Sequence, residues 1–469
     1  EPHSGGTLIL NLFKDLGIDL DRFKSAYDLD FFKRNNLSAI TYFNKETFGE
    51  DKVIKHPFCN YPNYVEGLPM AKLSNEEAVN QTPLNKRGKE QLLRVLNGGL
   101  HAIKVPKEAL HNYISTHSYF DYLKNTLGVD DSEVLKMARN SGLDWASTGT
   151  DLMTIAAAKG CGALGFAPKD VYDEKHPYIH HFPDGNASLA RALVKKMIPF
   201  VGKGNNAEEL LTSKFHYDEL DKSGNFVRIR LNSTVINVRH AGDPKNSDAV
   251  FVNYISNNKS YQLKSKNVVM ACYNMMIPHI VSGLPKGQDE ALRLQVKSPL
   301  QYTTVGLKNW KAIKEIGMGL AMSPGNMHQA VLMDFPVTLG SYEYTKTPND
   351  PCVIQMISCP YGTVGAPRKE QFREARFKML SMQFKDYENE IRNHLNGMLP
   401  NELFDFDRDV ESITVNRWAH GYAVGGPKDS TKIGRQPFGR ITIANSDSAP
   451  NADAIVAVKM AYRAVNELG

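Results

Sequence analysis

Hydrophobic positions along this chain follow two spacings, and the places where one gives way to the other mark out its elements. In residues 6–28, Leu8, Leu12, Phe13, Leu16, Leu20 and Phe23 recur at helical intervals, which predicts a helical start. Residues 31–48 are rich in aromatics, and Thr41-Tyr42-Phe43 is a short strand candidate. Residues 74–164 read as helical with Pro, Gly and Asn breaks, and amphipathic segments fall at 80–100, 132–140 and 151–159. Residues 1–175 are therefore expected to be mainly helical, with little regular sheet.

The spacing changes near His176. His180-His181-Phe182-Pro183-Asp184-Gly185-Asn186 is a turn-rich entry to a helix at 187–198, with Leu189, Ala190, Leu193, Val194 and Met197 on one face. Strand patterns then follow at 226–231, 234–239, 250–255, 261–263 and 267–272, separated by turn residues at 218–225 and 257–260. This predicts an antiparallel meander leading to Val268-Val269-Met270-Ala271, whose unbroken apolar run suits a parallel sheet. Further on, 289–296 is helical, 300–307 and 353–358 are strand-like, and 369–399 makes one or two amphipathic helices. Residues 413–418 lead toward the final segment, with 427–436 the best loop candidate. The expected division is 1–175, 176–275, 276–410 and 411–469.

The last stretch has a shape of its own. A β-branched strand at 439–444 runs into the polar turn Asn445-Ser446-Asp447-Ser448-Ala449-Pro450-Asn451, then a helix at 453–468. Such a turn presents backbone N–H groups and the positive end of a helix dipole, which suits an anionic or electron-rich group. An ordinary, well-capped β–turn–α unit has the same pattern.

Composition narrows the class. The 469 residues are 42% hydrophobic and 23% charged with a net charge of +5, ordinary for a globular protein of two or three folding units. Basic residues are scattered, so no nucleic-acid or membrane patch is indicated. No run approaches the ~18 apolar residues of a membrane span. The first residues, Glu1 to Gly6, carry neither a signal peptide nor an initiator Met, which suggests a processed or partial chain. Cys59, Cys161, Cys272, Cys352 and Cys359 are odd in number and dispersed, unlike a disulfide framework, and no C-x-x-C occurs.

Gly160-Cys161-Gly162-Ala163-Leu164-Gly165 spells the dinucleotide fingerprint G-x-G-x-x-G. That chemistry needs a strand before the first glycine and a helix after the last. Here a helical pattern precedes it and Pro168 follows, so a glycine-rich helix terminus is expected instead.

Four segments carry a resemblance. They are His181-Phe182-Pro183-Asp184-Gly185-Asn186-Ala187-Ser188-Leu189-Ala190, Val268-Val269-Met270-Ala271-Cys272-Tyr273-Asn274, Val415-Asn416-Arg417-Trp418-Ala419-His420-Gly421-Tyr422, and Gly439-Arg440-Ile441-Thr442-Ile443-Ala444-Asn445-Ser446-Asp447. In this order and spacing the chain resembles the flavin-dependent amine oxidase family, with bacterial spermidine dehydrogenases as its nearest branch. The resemblance implies a mixed α/β (α+β) fold. A discontinuous FAD-binding domain would hold a parallel sheet and a β-meander, beside a substrate domain of helices and sheet. Members of that family begin with a βαβ unit bearing the fingerprint, and this sequence has none. A separate chain supplying that unit is one expectation, and loss of the unit or unusual FAD binding is another.

The same resemblance assigns roles. The backbone of Val235 would meet the adenine, and Ala271 would lie near the flavin mononucleotide half. Ser446 and Asp447 would lie near the ribityl–pyrophosphate. Ala454 and Ile455 would open the helix whose N–H groups face flavin N1 and O2. Trp418 and Tyr422 would stand beside the isoalloxazine and the amine, as catalytic-site residues. Hydride transfer from the amine carbon to flavin N5 would give an imine, hydrolysed to aldehyde and amine. The implied cofactors are FAD and haem b, with haem or a cytochrome as electron acceptor, a polyamine substrate and a periplasmic location. Each residue also has a plainer reading: Trp418 as core packing, Tyr422 as structural, Val235 as an apolar strand position, Asp447 as a turn residue. His180 and His181 are residue types that ligate a metal or haem, yet adjacent strand positions face opposite ways, and no ligand is chosen. Two other classes remain open: a non-catalytic subunit with the flavoenzyme fold, and a flavin oxidoreductase acting on a non-amine substrate.

Overall fold

The longest buried apolar runs of the chain meet in one sheet. The computed structural model describes residues 5–70, 73–142, 148–166, 178–424, 426–427, 429–449 and 451–469. Its strands are β1 (Ser38–Phe43), β2 (Lys52–Ile54), β3 (Ser233–His240), β4 (Val250–Ser256), β5 (Lys259–Ser265), β6 (Val268–Met270), β7 (Lys297–Leu307), β8 (Met318–Met322), β9 (Ala330–Met333), β10 (Cys352–Ser358), β11 (Val410–Ala423) and β12 (Ile441–Ile443). The largest sheet has the order β11-β7-β10-β9-β8-β1-β2. Every residue of β8 and β9 is buried, as expected of central strands covered on both faces. β1 pairs parallel with β8, and the other pairs are antiparallel. Trp310, Ile354, Ile391 and Leu395 belong to the core around this sheet. Ile391 and Leu395 come from the helix Phe384–Met398, which follows Arg368–Ser381.

A second core is built by the helices of the N-terminal region. Leu92 and Val95 of Lys86–Leu96 pack with Val134, Met137, Ile155 and Ala158. Helix Asn75–Gln81 starts on a capping box, in which Ser74 and Glu77 satisfy each other's amides. The amphipathic stretch expected at 80–100 is thus two helices, parted where Pro83 cannot donate to a helix ladder. The fingerprint look-alike sits at a helix end: Ile155–Gly160 precedes it, and Gly162 and Gly165 hold φ of 66° and 84°. Pro168 and the change of pattern at His176 lie outside the described residues.

The third unit contains the meander β3-β4-β5 and the two-stranded parallel sheet β12-β6, in which Ile441, Thr442 and Ile443 face Val268, Val269 and Met270. Val238, Val250, Met270, Ile277, Leu292, Ile441 and Ile443 form its core. The C-terminal helix Ala454–Asn466 follows. The fold class is the expected mixed α/β one, with a parallel sheet, a meander and a larger helix-covered sheet.

Two expectations are corrected. Residues 226–231 form no strand, and Phe226 stands fully exposed; the β pattern finds no ladder partner among the described residues. The loop expected at 427–436 contains the short helix Ser430–Gly434. It is tied to Lys286–Arg293 and the residues after it through Gln288 Nε2, which donates to the Gly434 carbonyl at 3.1 Å, and Gln295 Nε2, which donates to Ser430 at 2.9 Å.

Candidate active site

The site begins with a proline in a strand. β10 pairs with β7 only from Gln301 to Leu307, so at Pro299 the strand faces β11, and Pro299 has no N–H to give a ladder. Opposite it β11 loses register: Trp418 pairs with Leu300, but the next pair is Tyr422 with Ser298. Ala419, His420 and Gly421 bulge out between them. Gly421 is required there, since a Cβ would come within 2.8 Å of Leu300 Cβ. The bulge sets His420 beside the beginning of β7.

Lys297 is the first residue of β7. Its Nζ lies 2.6 Å from Asp447 Oδ1, and the two side chains are 6% and 3% exposed. The other carboxylate oxygen accepts the Asn274 backbone N–H at 3.1 Å. Asn274, fully buried, donates through Nδ2 to Gln295 Oε1 at 2.8 Å. The turn holding Asp447 is fixed by Asn445, whose Oδ1 accepts the Asp447 N–H at 2.7 Å and whose Nδ2 donates to the Cys272 carbonyl. Asn445 holds φ of 140°, a region non-glycine residues seldom occupy. A buried ion pair thus ties the β6–β12 unit to the large sheet.

One aromatic face lies against the pair, and an aromatic contact follows further along β7. Lys297 Nζ sits 5.0 Å from the Tyr273 ring centroid, a cation–π contact, and the Tyr273 and His420 rings are 5.4 Å apart. Trp418 meets Tyr302 edge-on at 5.2 Å. Trp418 and Tyr273 are each 43% exposed. Arg376, from Arg368–Ser381, donates to the Lys297 carbonyl at 3.0 Å. Burial, then Arg376 and Lys297, push the His420 imidazole below its ordinary range, with Asp447 pulling the other way. Its Nδ1 and the Ser298 Oγ are enclosed without a hydrogen-bond partner among the described residues.

The expected site residues divide by place. Ala271, Ser446 and Asp447 follow the paired strands β6 and β12; Tyr422 pairs with Ser298, next to Lys297, and Trp418 with Leu300 further along β7. Ala454 and Ile455 open the C-terminal helix, where the Asp453 carboxylate caps the Ile455 N–H at 2.7 Å; that amide is engaged within the chain. Val235 sits apart in the meander, opposite Tyr254. His181 Nε2–H donates to the Tyr178 carbonyl (3.2 Å), and the ring stacks 3.8 Å from Phe335, so its ring is committed to packing. Among the described residues no group of three or more His, Cys, Asp or Glu is placed to hold a metal ion, and no helix is long and apolar enough to cross a membrane.

Lys297, Gln295, Arg376 and Asn445 were not picked out as site residues from the sequence. Lys297 had one legible sign: a charge inside Leu294-Gln295-Val296-Lys297-Ser298-Pro299-Leu300 must find a partner if the strand is buried. The arrangement fits a flat, apolar, electron-accepting ring. Exposed aromatic faces would contact such a ring, and a desolvated ammonium would stabilise negative charge gained beside it.

No family model matches the sequence, and no curated protein matches it. Solved structures do. The chain superposes on a putrescine oxidase bound to putrescine with a TM-score of 0.53 at 14% identity, covering 98% of this chain and 85% of that one. It also aligns with cyclohexylamine oxidase from Brevibacterium oxydans at a TM-score of 0.49 and 12% identity, with the same coverage. The putrescine oxidase match and the sheet arrangement above agree: the chain has an amine oxidase-like fold.

Proposed function

We propose that this protein is a flavin-dependent amine oxidoreductase, and within that class a dehydrogenase of spermidine-like polyamines. The observation that carries the reading is the buried Lys297–Asp447 pair, set between β7 and the β6–β12 unit, with the Tyr273 ring against it and Tyr422 paired to the adjacent Ser298. When bound, the flavin supplies the two-electron acceptor for oxidation of the amine carbon. The chain's part is to bind and orient. Trp418 and Tyr422 flank the amine in an aromatic slot that disfavours its charged form, Lys297 holds positive charge where electrons arrive, and Asp447 holds the Lys297 side chain in place.

A βαβ unit carrying the nucleotide fingerprint, outside the present sequence, belongs to this proposal. Support comes from β6-β12, a two-stranded sheet among the described residues whose Val269 is exposed. Periplasmic residence is part of the same reading, and cell fractionation tests it.

Anaerobic mixing of flavin-loaded protein with spermidine, putrescine and a monoamine is the decisive experiment. Loss of the oxidised-flavin absorbance with amines, and fastest with spermidine, is expected. A flavin-loaded protein that no amine reduces overturns the reading; one reduced equally by all three keeps the amine class and removes the polyamine preference.

A further inference from the structure

Aromatic side chains from distant parts of the sequence stand uncovered on neighbouring loops. Phe200 is 75% exposed, Tyr217 69%, and Phe226 fully exposed. Their loops are joined: the His216 N–H donates to the Val201 carbonyl at 2.7 Å, and Asn225 Nδ2 donates to the Glu219 carbonyl at 2.6 Å. Beneath them Ile198, Val201 and Leu220 form a small core of their own, and Phe200 stands out between two of these anchors. Lys195 Nζ donates to the Pro199 and Gly202 carbonyls and clasps the loop that carries Phe200. The loops are tied down while their apolar tips stay in water, which is the mark of a contact surface.

Charge around the tips has one sign to spare. Lys222, Arg228 and Arg230 are taken up by Glu219 and Asp221. Lys196, Lys203 and Lys214 are exposed and have no ion-pair partner among the described residues. Lys196 adjoins the exposed Met197 in the last turn of Ala187–Met197. The Lys203 N–H donates to Ser213 Oγ at 3.2 Å, which brings Lys203 beside Lys214. Of the exposed acids nearby, Glu209 is engaged by Asn205 and Asn206, which leaves Asp218 against these lysines. Basic residues that look scattered along the sequence are thus gathered by the fold around an apolar patch.

We propose that this patch docks on an anionic phospholipid surface. Phe200, Tyr217 and Phe226 enter the headgroup layer, and Lys196, Lys203 and Lys214 meet the lipid phosphates at its edge. Protruding aromatic tips suit a fluid layer that closes around them, without a shaped partner. A second copy fits poorly, because an isologous contact would set lysine against lysine. The attachment is to the surface, since among the described residues no helix is long and apolar enough to cross a membrane. It is independent of the amine chemistry above.

Co-sedimentation of the full chain with vesicles tests this, using phosphatidylcholine alone and phosphatidylcholine mixed with phosphatidylglycerol. Binding to the mixed vesicles is expected, and it should fall as salt shortens the screening length from about 10 Å at 0.1 M to about 3 Å at 1 M. Lys196→Gln/Lys203→Gln/Lys214→Gln should weaken it about 10²-fold, or roughly fivefold per charge. Phe200→Ser/Phe226→Ser should weaken it about tenfold or more. These positions are exposed, so urea midpoints should stay near wild type. Phe377→Ser/Phe384→Ser, at exposed apolar positions elsewhere, should leave binding unchanged. No binding by wild type, equal binding to both kinds of vesicle, or a loss in the Phe377/Phe384 variant but not in the lysine variant would each overturn the inference. A dimer in sedimentation velocity that Phe200→Ser dissolves would also overturn it, and would make the patch a contact between copies.

Discussion

Lys297 Nζ stands 2.6 Å from Asp447 Oδ1 across 150 residues of chain, and this contact joins the two units that any ligand at the site would touch. Removing one partner strands the other charge away from water. Lys297→Met should therefore lower stability by about 3–5 kcal/mol, and Asp447→Asn by a similar amount. The double variant Lys297→Met/Asp447→Leu should lose clearly less than the two single losses combined. Urea denaturation of the set checks this; simple additivity would refute the coupling.

Acid should loosen the large sheet from within. His328 and His394 are buried and held neutral, each pushed down to about 3 by burial. Their folded pKa values lie below the unfolded ~6.5, so between pH 6.5 and about 3 the unfolded chain binds protons that the folded chain refuses. Stability is then full above pH 6.5 and falls as pH drops, by about 1.4 kcal/mol per unit for each group. Urea midpoints from pH 7 to 4 should show this slope. His328→Gln and His394→Gln should each flatten it, and an unchanged slope in both would contradict it.

Asp334 predicts the opposite sign. Burial raises its carboxyl to about 6, against weaker lowering by the Phe335 N–H and Gln355. A folded value above the unfolded one penalises folding as pH rises from ~4 to 6, and the penalty of about 3 kcal/mol then persists at higher pH. Asp334→Asn should stabilise the protein more at pH 8 than at pH 4. Equal effects at both values would place the cause elsewhere.

Trp418 separates packing from binding. It is 43% exposed and leans edge-on against Tyr302 at 5.2 Å. Trp418→Ala should change stability by less than about 1 kcal/mol, yet weaken amine binding at least tenfold under the proposed function, and Trp418→Phe should recover much of it. A large loss of stability without a change in binding would make Trp418 a core residue.

The local elements were largely legible in the sequence, because their information is local. The helix Ala187–Met197, the meander strands β3 to β5 and the C-terminal helix fall within a few residues of where periodicity put them. β8 and β9 escaped notice. Met318-Gly319-Leu320-Ala321-Met322 has neither alternation nor β-branched residues, and its conformation is imposed by neighbours distant in sequence. The same is true of the site. Asp447 was found as the end of a strand, and Trp418 and Tyr422 through the company they keep. Lys297 and Arg376 were not, since nothing near either residue announces a partner so far along the chain. His420 was visible only as a letter in a segment; the bulge that aims it depends on Pro299 in another strand.

The parallel pairing of β1 with β8 has a consequence for how the protein is made. Ser38 meets Met318, and β11, which closes the other edge, ends at Ala423. A ribosome releases β1 and its neighbour β2 long before β8, the partner on the other side, exists. β1, with Ala39 to Phe43 all destined for burial, must wait with one edge open until Met318–Met322 has emerged. Non-local pairing of this kind folds slowly and leaves such segments open to aggregation. Yield in the cell is therefore expected to depend on what shelters residues 38–43 during synthesis as much as on the stability of the finished sheet.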